Sequence, residues 1–113
     1  MKAHALVTLA QTTFDELQAS DVRLLDVRSQ TGVTDFMLIA TGRNARHLKA
    51  IADRLIESSK KAGHQALGVE GLQWCDWVLI DLGDLVVHLM RRDTRDFYKL
   101  EDLWEFDSVA SGG

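Results

Sequence analysis

Two aspartates beside a predicted hairpin turn are the first residues in this sequence that could do chemistry. Asp81 and Asp84 stand three positions apart, and paired carboxylates hold Mg²⁺ in phosphoryl-transfer enzymes. Residues 41–44, which include Gly42, follow a predicted strand and precede a predicted helix, where backbone N–H groups can face a phosphate. A single glycine is too few for a phosphate-binding loop, and acidic residues at a hairpin turn are more often simply turn residues. The sequence therefore compels no metal site and no cofactor.

A thiol and an imidazole form the second chemical candidate. Cys75 and His88 would have to act as nucleophile and base, but nothing in the loop before Cys75 would lower the pKa of its thiol. A single cysteine also excludes an intramolecular disulfide, and the four histidines lack the spacing of a metal site. We expect a reducing compartment and no thiol chemistry.

Length and composition indicate one soluble domain. The chain has 113 residues, of which 46% are apolar, and this is enough for a single core. No stretch approaches the ~18 consecutive apolar residues that a membrane span needs. We expect a mature, soluble chain with one domain over residues 1–107 and a frayed tail over residues 108–113.

The elements that must position these residues follow from the spacing of the apolar side chains. Steps of three and four residues predict helices over residues 3–19, around Leu48 to Ile56, and around Phe97, Leu100 and Trp104 after an Asp93/Thr94 cap. Runs rich in Val, Ile and Leu predict strands over residues 22–27, 36–40, 66–69, 77–81 and 85–90. The unbroken apolar run at 36–40 is typical of a strand buried on both faces. A turn is expected around residues 29–32, and the last two strands form a hairpin about Leu82-Gly83.

Alternation along this hairpin predicts two different faces. The aliphatic face carries Val78, Ile80, Leu85, Val87 and Leu89. The other, here called the mixed face, carries Trp77, Leu79, Asp81, Asp84, Val86, His88 and Met90. A two-residue loop would set Trp77 opposite His88 and Asp81 opposite Asp84. A tryptophan among polar groups is typical of an interface; the alternative is that a helix covers Trp77 and that His88 is a half-buried histidine.

Charge is distributed unevenly along the chain. Residues 64–90 contain four acidic and no basic residues, whereas residues 41–63 contain six basic and two acidic residues. The overall net charge of -4 argues against a generally basic nucleic-acid binder. The acidic segment suits a basic protein surface, while the basic second helix could lie near RNA, although a solvated outer face is the commoner explanation.

Several blocks of this sequence resemble the ribosomal silencing factor (Iojap-like) family. They are residues 68–71 (GVEG), 76–88 (DWVLIDLGDLVVH) and 97–104 (FYKLEDLW), with residues 34–42 (TDFMLIATG) and Ala52-Asp53 in matching order and spacing. The resemblance covers nearly everything from residue 6 to residue 104. It departs at Thr31-Gly32, where a serine-rich turn is usual, and at the Trp74-Cys75 loop.

The resemblance implies an α/β (α+β) fold in which helices flank a mixed sheet of about five strands, related to nucleotidyltransferases but without their catalytic acids. It implies a non-enzymatic translation factor of the bacterial cytoplasm. Its relatives bind large-subunit ribosomal protein number fourteen and block joining of the small subunit under nutrient limitation. The family's contact lies on the hairpin and its neighbourhood, so the predicted partner-binding residues are Glu70, Trp77, Leu79, Asp81, Asp84, His88 and Met90.

Three alternatives stay open at this point. The first is a nucleotidyltransferase-like enzyme that uses Asp81, Asp84 and the turn at Gly42. The second is a peripheral contact of the second helix with ribosomal RNA, and the third is a homodimer of the free protein.

Overall fold

The structure, a computed structural model, describes residues 2–29, 32 and 34–99. Its elements in chain order are α1 (Ala3–Glu16), β1 (Ser20–Asp26), β2 (Phe36–Gly42), α2 (Ala45–Lys61), β3 (Gly68–Glu70), β4 (Trp77–Asp81), β5 (Leu85–Arg91) and α3 (Arg92–Tyr98). The predicted α+β class is confirmed. The predictions for Gln30, Thr31, Leu100, Trp104 and residues 108–113 lie outside the described residues.

The five strands form one mixed sheet in the order β1-β2-β5-β4-β3. β2 and β5 are parallel, with Leu38 opposite Val87, and the remaining neighbours are antiparallel. Parallel strands cannot be joined by a tight turn, so the chain crosses from β2 to β5 through α2, β3 and β4. None of the described helices is both long and apolar enough to cross a bilayer.

The main core lies between one side of the sheet and the two long helices. The apolar stripe of α2 faces this core, as its spacing predicted: Leu48, Ile51, Ala52 and Leu55 are fully buried, and Ile56 is partly buried. All five residues of the aliphatic face are fully buried with it. A second, smaller cluster lies on the opposite side of the sheet and consists of Leu25, Val27, Met37, Ile39 and Met90, with Trp77 packed against it. β2 contributes to both clusters, so the prediction of a strand buried on both faces is confirmed.

The hairpin is present, but its predicted register is wrong by two residues. Trp77 lies opposite Met90, Leu79 opposite His88, and Asp81 opposite Val86. The two loop residues are Gly83 and Asp84, because Leu82 N–H donates to the carbonyl of Leu85. Gly83 has φ +89°, and a type II′ turn needs glycine at the first loop position. The turn is therefore centred one residue later than predicted, and a shift of two leaves every side chain on its predicted face.

Two helix ends also differ from prediction. α1 ends at Glu16 rather than at residue 19, because Gln18 has φ +60° and cannot continue the helix. α3 begins at Arg92 with Arg91 as the N-cap, so the predicted Asp93/Thr94 cap is wrong and both residues lie in the first turn. The third strand starts two residues later than predicted, at Gly68.

Gly71 lies where the β3–β4 connection passes close to the start of β4. A Cβ atom at this position would lie 2.1 Å from the carbonyl oxygen of Trp77, and φ is +90°. Neither the backbone contact nor the backbone angle suits an L residue. We therefore expect Gly71→Ala to lower the free energy of unfolding by at least about 2 kcal/mol in a urea titration.

Gly68→Ala is the matched control, since a Cβ there meets nothing within 4 Å. Its effect should stay within about 0.5 kcal/mol. Equal effects of the two substitutions would contradict the close approach at Gly71.

Candidate functional site

The sheet brings most of the predicted partner-binding residues together on one side. Glu70 lies opposite Leu79, which lies opposite His88, so these three form a row across β3, β4 and β5. Trp77, Asp81 and Met90 lie in the flanking rows, each two residues along its strand from a member of the first row and therefore on the same side. This side is opposite to the one covered by α1 and α2. The predicted mixed face thus exists, and Glu70 extends it.

The predicted contact residues divide by exposure into two groups. Glu70 and Asp84 are exposed, and Trp77, Leu79 and Asp81 are half-buried. His88 is only 5% exposed and Met90 is fully buried. The expectation that all seven line the surface is therefore corrected for His88 and Met90, whose side chains lie beneath the face and support it.

Asp81 and Asp84 both serve the hairpin turn. A carboxylate oxygen of Asp81 accepts from Gly83 N–H at 2.9 Å, and the carbonyl of Asp84 accepts from the N–H groups of Asp35 and Phe36. The first bond forms an Asx-type turn, and the second holds the turn to the start of β2. No group of three or more potential metal ligands occurs in the part of the chain that the structure describes.

Trp77 and His88 are joined by a hydrogen bond. The indole Nε1–H of Trp77 donates to Nδ1 of His88 at 2.9 Å, and the ring centroids are 5.8 Å apart. Because Nδ1 accepts, the neutral ring carries its proton on Nε2. Burial lowers the pKa of His88 to about 4, since a charged ring would lose its hydration. His88 is therefore a neutral acceptor that fixes the orientation of the indole.

The short helix α3 contributes residues that the sequence analysis missed. The ring centroid of Tyr98 lies 5.0 Å from that of Trp77, and the ring centroid of Phe97 lies 5.0 Å from that of Tyr98. Phe97 was predicted to belong to a helical apolar stripe, but it is 80% exposed. Arg95 is buried instead, and no local pattern announces a buried arginine. Trp77 is thus partly covered by a helix, as the alternative interpretation required, yet it keeps an accessible portion.

Cys75 takes no part in the mixed face. Its side chain is buried in the core on the helical side of the sheet, whereas His88 lies on the opposite side. The thiol donates to the carbonyl of Leu72 at 3.0 Å, and burial raises its pKa. The structure therefore separates the proposed thiol and imidazole.

The basic residues of the second helix lie on its outer surface. Lys49 pairs with Asp53 at 2.7 Å, and Lys61 pairs with Glu57 at 2.9 Å, both one helical turn apart. Arg54 reaches Glu16 of α1 at 3.2 Å. Pairs at this exposure contribute little to stability and are typical of a solvated face. The charge that distinguishes this helix is thus partly neutralised within the molecule.

A mixed sheet with two long helices on one side and an aromatic, acidic surface on the other defines the class of a small two-layer α+β domain. Comparison with known proteins makes the assignment specific. The profile of the family described as "Ribosomal silencing factor during starvation" matches residues 1–111. The chain belongs to this ribosomal silencing factor family.

Relatives and solved structures agree with this assignment. The ribosomal silencing factor of Haemophilus influenzae is 45% identical over 100 residues, which are 88% of this chain and 98% of that protein. A crystal structure of a Chromobacterium violaceum protein superimposes with a TM-score of 0.90 at 35% identity and covers 93% of this chain and 88% of the other. The mouse protein named mitochondrial assembly of ribosomal large subunit protein 1 is 33% identical over 80% of this chain and 41% of its own length.

The buried His88 predicts how stability depends on pH. The unfolded chain should protonate this ring near its ordinary pKa of 6.5, whereas the folded protein does so at about 4. Between these values the unfolded state binds more protons, so the free energy of unfolding falls as the pH falls from 6.5 through 4. The difference corresponds to roughly 3 kcal/mol at most.

His88→Gln keeps an acceptor for Trp77 but does not titrate. We expect urea titrations at pH 7 and pH 4 to show a smaller loss of stability for this variant than for the wild-type protein. Carboxylates titrate in both proteins, so their contribution cancels in the comparison. Identical losses would contradict the buried, neutral His88.

Proposed function

We propose that this protein binds the large ribosomal subunit through ribosomal protein number fourteen and thereby blocks joining of the small subunit when nutrients are limiting. The partner would meet the mixed face and Glu70. The observation that carries the proposal is a half-buried tryptophan, held by a buried histidine, on a sheet face that also carries accessible acidic residues. Because bacterial ribosomes lie in the cytoplasm, binding to them would place the protein in the cytoplasm.

The size of the domain is sufficient for a steric mechanism. A standard protein interface buries ~800 Å² on each partner, which one sheet face and its rim can supply. The remainder of a bound domain would occupy space on the subunit surface without touching any catalytic group. This mechanism needs neither cofactor nor chemical step, and its only requirement is that the face and the partner fit.

Charge supports a basic partner for the mixed face. Glu70, Asp81 and Asp84 carry negative charge on or beside it, and residues 64–90 contain no basic residue. Asp76 is already paired with Arg91, so it contributes less to the surface. Ribosomal proteins that contact RNA are basic, and an acidic face would attract such a protein while repelling RNA phosphate.

Co-sedimentation tests the proposal directly. The protein is mixed with isolated large subunits and then with small subunits, and the yield of joined ribosomes is measured on a sucrose gradient. We expect the protein to travel with large subunits and to reduce joining in proportion to occupancy. Failure to co-sediment would refute the proposal.

A thermal-shift measurement separates the phosphoryl-transfer alternative. A ligand that binds only the native state raises the melting temperature. Isolated ribosomal protein number fourteen should raise it, and nucleotide with Mg²⁺ should not. The opposite result would favour an enzyme that uses Asp81 and Asp84.

The anchor of the proposed interface is Trp77. Removal of an interface tryptophan commonly costs ~2 kcal/mol or more, about thirtyfold in affinity. Trp77→Ala should remain folded, because the main core lies on the other side of the sheet. It should nevertheless lose at least about thirtyfold in affinity for the large subunit, measured by titration and corrected for the folded fraction.

Trp74→Ala provides the matched control, since Trp74 is 72% exposed on the turn just before β4. Its affinity should stay close to that of the wild-type protein. A Trp77→Ala variant that is destabilised yet binds normally would show that Trp77 is only a structural residue.

Salt should slow association if the acidic face meets a basic surface. Charges in solution are screened over ~8 Å at physiological ionic strength, so long-range attraction weakens as KCl rises. In stopped-flow or surface-binding measurements, Glu70→Gln should lower the association rate and reduce its salt dependence. Asp15→Asn removes one exposed acid from α1, away from the mixed face, and should change neither. An association rate that is independent of KCl would contradict the acidic contact.

A further inference from the structure

The short helix α3 buries a charged residue and exposes its aromatic residues, which is the reverse of the usual pattern. Among its seven residues, all of which the structure describes, only Arg95 is buried, while Phe97 and Tyr98 are 80% and 55% exposed. A surface helix ordinarily buries its apolar residues and exposes its charged ones. Burial of apolar area therefore does not explain why α3 lies against the sheet.

Arg95 attaches α3 to the far edge of the sheet. Its side chain is 5% exposed, and one guanidinium nitrogen donates to the carbonyl of Asp21 and, at 2.8 Å, to the hydroxyl of Thr41. Asp21 lies in the irregular part of β1, with φ +48°, and its carboxylate pairs with Arg92. The irregularity in β1 thus presents a carbonyl to an arginine from a segment 74 residues away.

Attaching a helix through a buried arginine carries a large desolvation free energy. A guanidinium must lose its hydration, and a well-packed apolar side chain often holds an element as firmly. The arginine instead fixes the orientation of the helix on the sheet, because its hydrogen bonds to fixed acceptors allow only one placement of the helix. Tyr98 follows Arg95 by three residues, so both lie on one side of α3, and Tyr98 reaches the ring of Trp77.

We propose that Arg95 is a positioning residue of the mixed face: it holds α3 on β1 so that Tyr98 braces Trp77 in the orientation that the partner binds. This inference rests on the proposed function. Arg95 itself does not touch the partner. It acts through Tyr98, while His88 fixes the other end of the same indole.

Arg95→Gln tests the role of the guanidinium. We expect the affinity for the large subunit to fall on the order of tenfold, less than for loss of the anchor itself. The indole N–H resonance of Trp77, assigned by its absence in Trp77→Phe, should shift in the free variant, while amide resonances of β2 away from Thr41 stay in place. Lys49→Gln removes one positive charge from an exposed position on α2, on the other side of the sheet, and should change neither measurement.

A double-mutant cycle decides whether Arg95 acts through Tyr98. In a Tyr98→Ala background, Arg95→Gln should cause little further loss of affinity, because the contact it supports is already absent. Equal losses in both backgrounds would overturn the inference, as would normal binding by Arg95→Gln. If Arg95→Gln does not fold, Thr41→Val replaces it, since this removes one acceptor and preserves the shape of the side chain. Unchanged binding and an unchanged Trp77 resonance in Thr41→Val would then overturn the inference.

The wild-type protein distinguishes this inference from the function on which it rests. If the wild-type protein does not bind large subunits, the proposed function is wrong and the role of Arg95 falls with it. If the wild-type protein binds and Arg95→Gln binds equally well, only the role of Arg95 is wrong.

Discussion

The parallel pairing of β2 with β5 is the constraint on which the other contacts depend. Between these strands the chain must travel back along the sheet, and it does so through α2 and the β3–β4 segment. α2 covers one side of the pair together with α1, and the hairpin extends the sheet away from it. One side of the sheet therefore receives both long helices. The other side contacts the short α3, which covers less of the sheet than the two long helices do. The mixed face therefore stays accessible.

Alternation in the hairpin could be predicted from sequence even though its register could not. Val78 and Ile80 point to the core, and Trp77 and Leu79 point away from it, in either register, because a shift of two residues preserves the face. The register itself depends on which residue takes the first position of the turn. Gly83 takes it because that position needs a positive φ, and the competing placement would have put Leu82 there. A stricter use of turn chemistry would have found the observed register.

The burial of each residue in the candidate site could not be predicted in the same way. His88 and Met90 lie on the predicted face, but they are buried because Trp77 and a second cluster of apolar residues pack around them. Arg95 and Tyr98 were missed for a related reason. Their partners, Asp21 and Trp77, are distant in sequence, and local spacing carries no information about such contacts. Periodicity instead predicted that Phe97 faces the core. In the structure Phe97 is exposed, because the contacts of Arg95 determine which side of α3 faces the sheet.

A half-buried tryptophan is better suited to docking than a freely exposed one. Binding normally costs free energy to immobilise side chains and to desolvate polar groups. The indole of Trp77 already has its N–H satisfied by His88, and its ring already lies against Tyr98. A partner that covers the remaining ring surface gains apolar burial without ordering the side chain and without stripping water from the indole nitrogen. Trp74 has greater exposed area, but no comparable ring contact or side-chain hydrogen bond is among those the structure describes for it. Exposed area alone would favour Trp74 as the proposed anchor, whereas the smaller cost of immobilisation and desolvation favours Trp77.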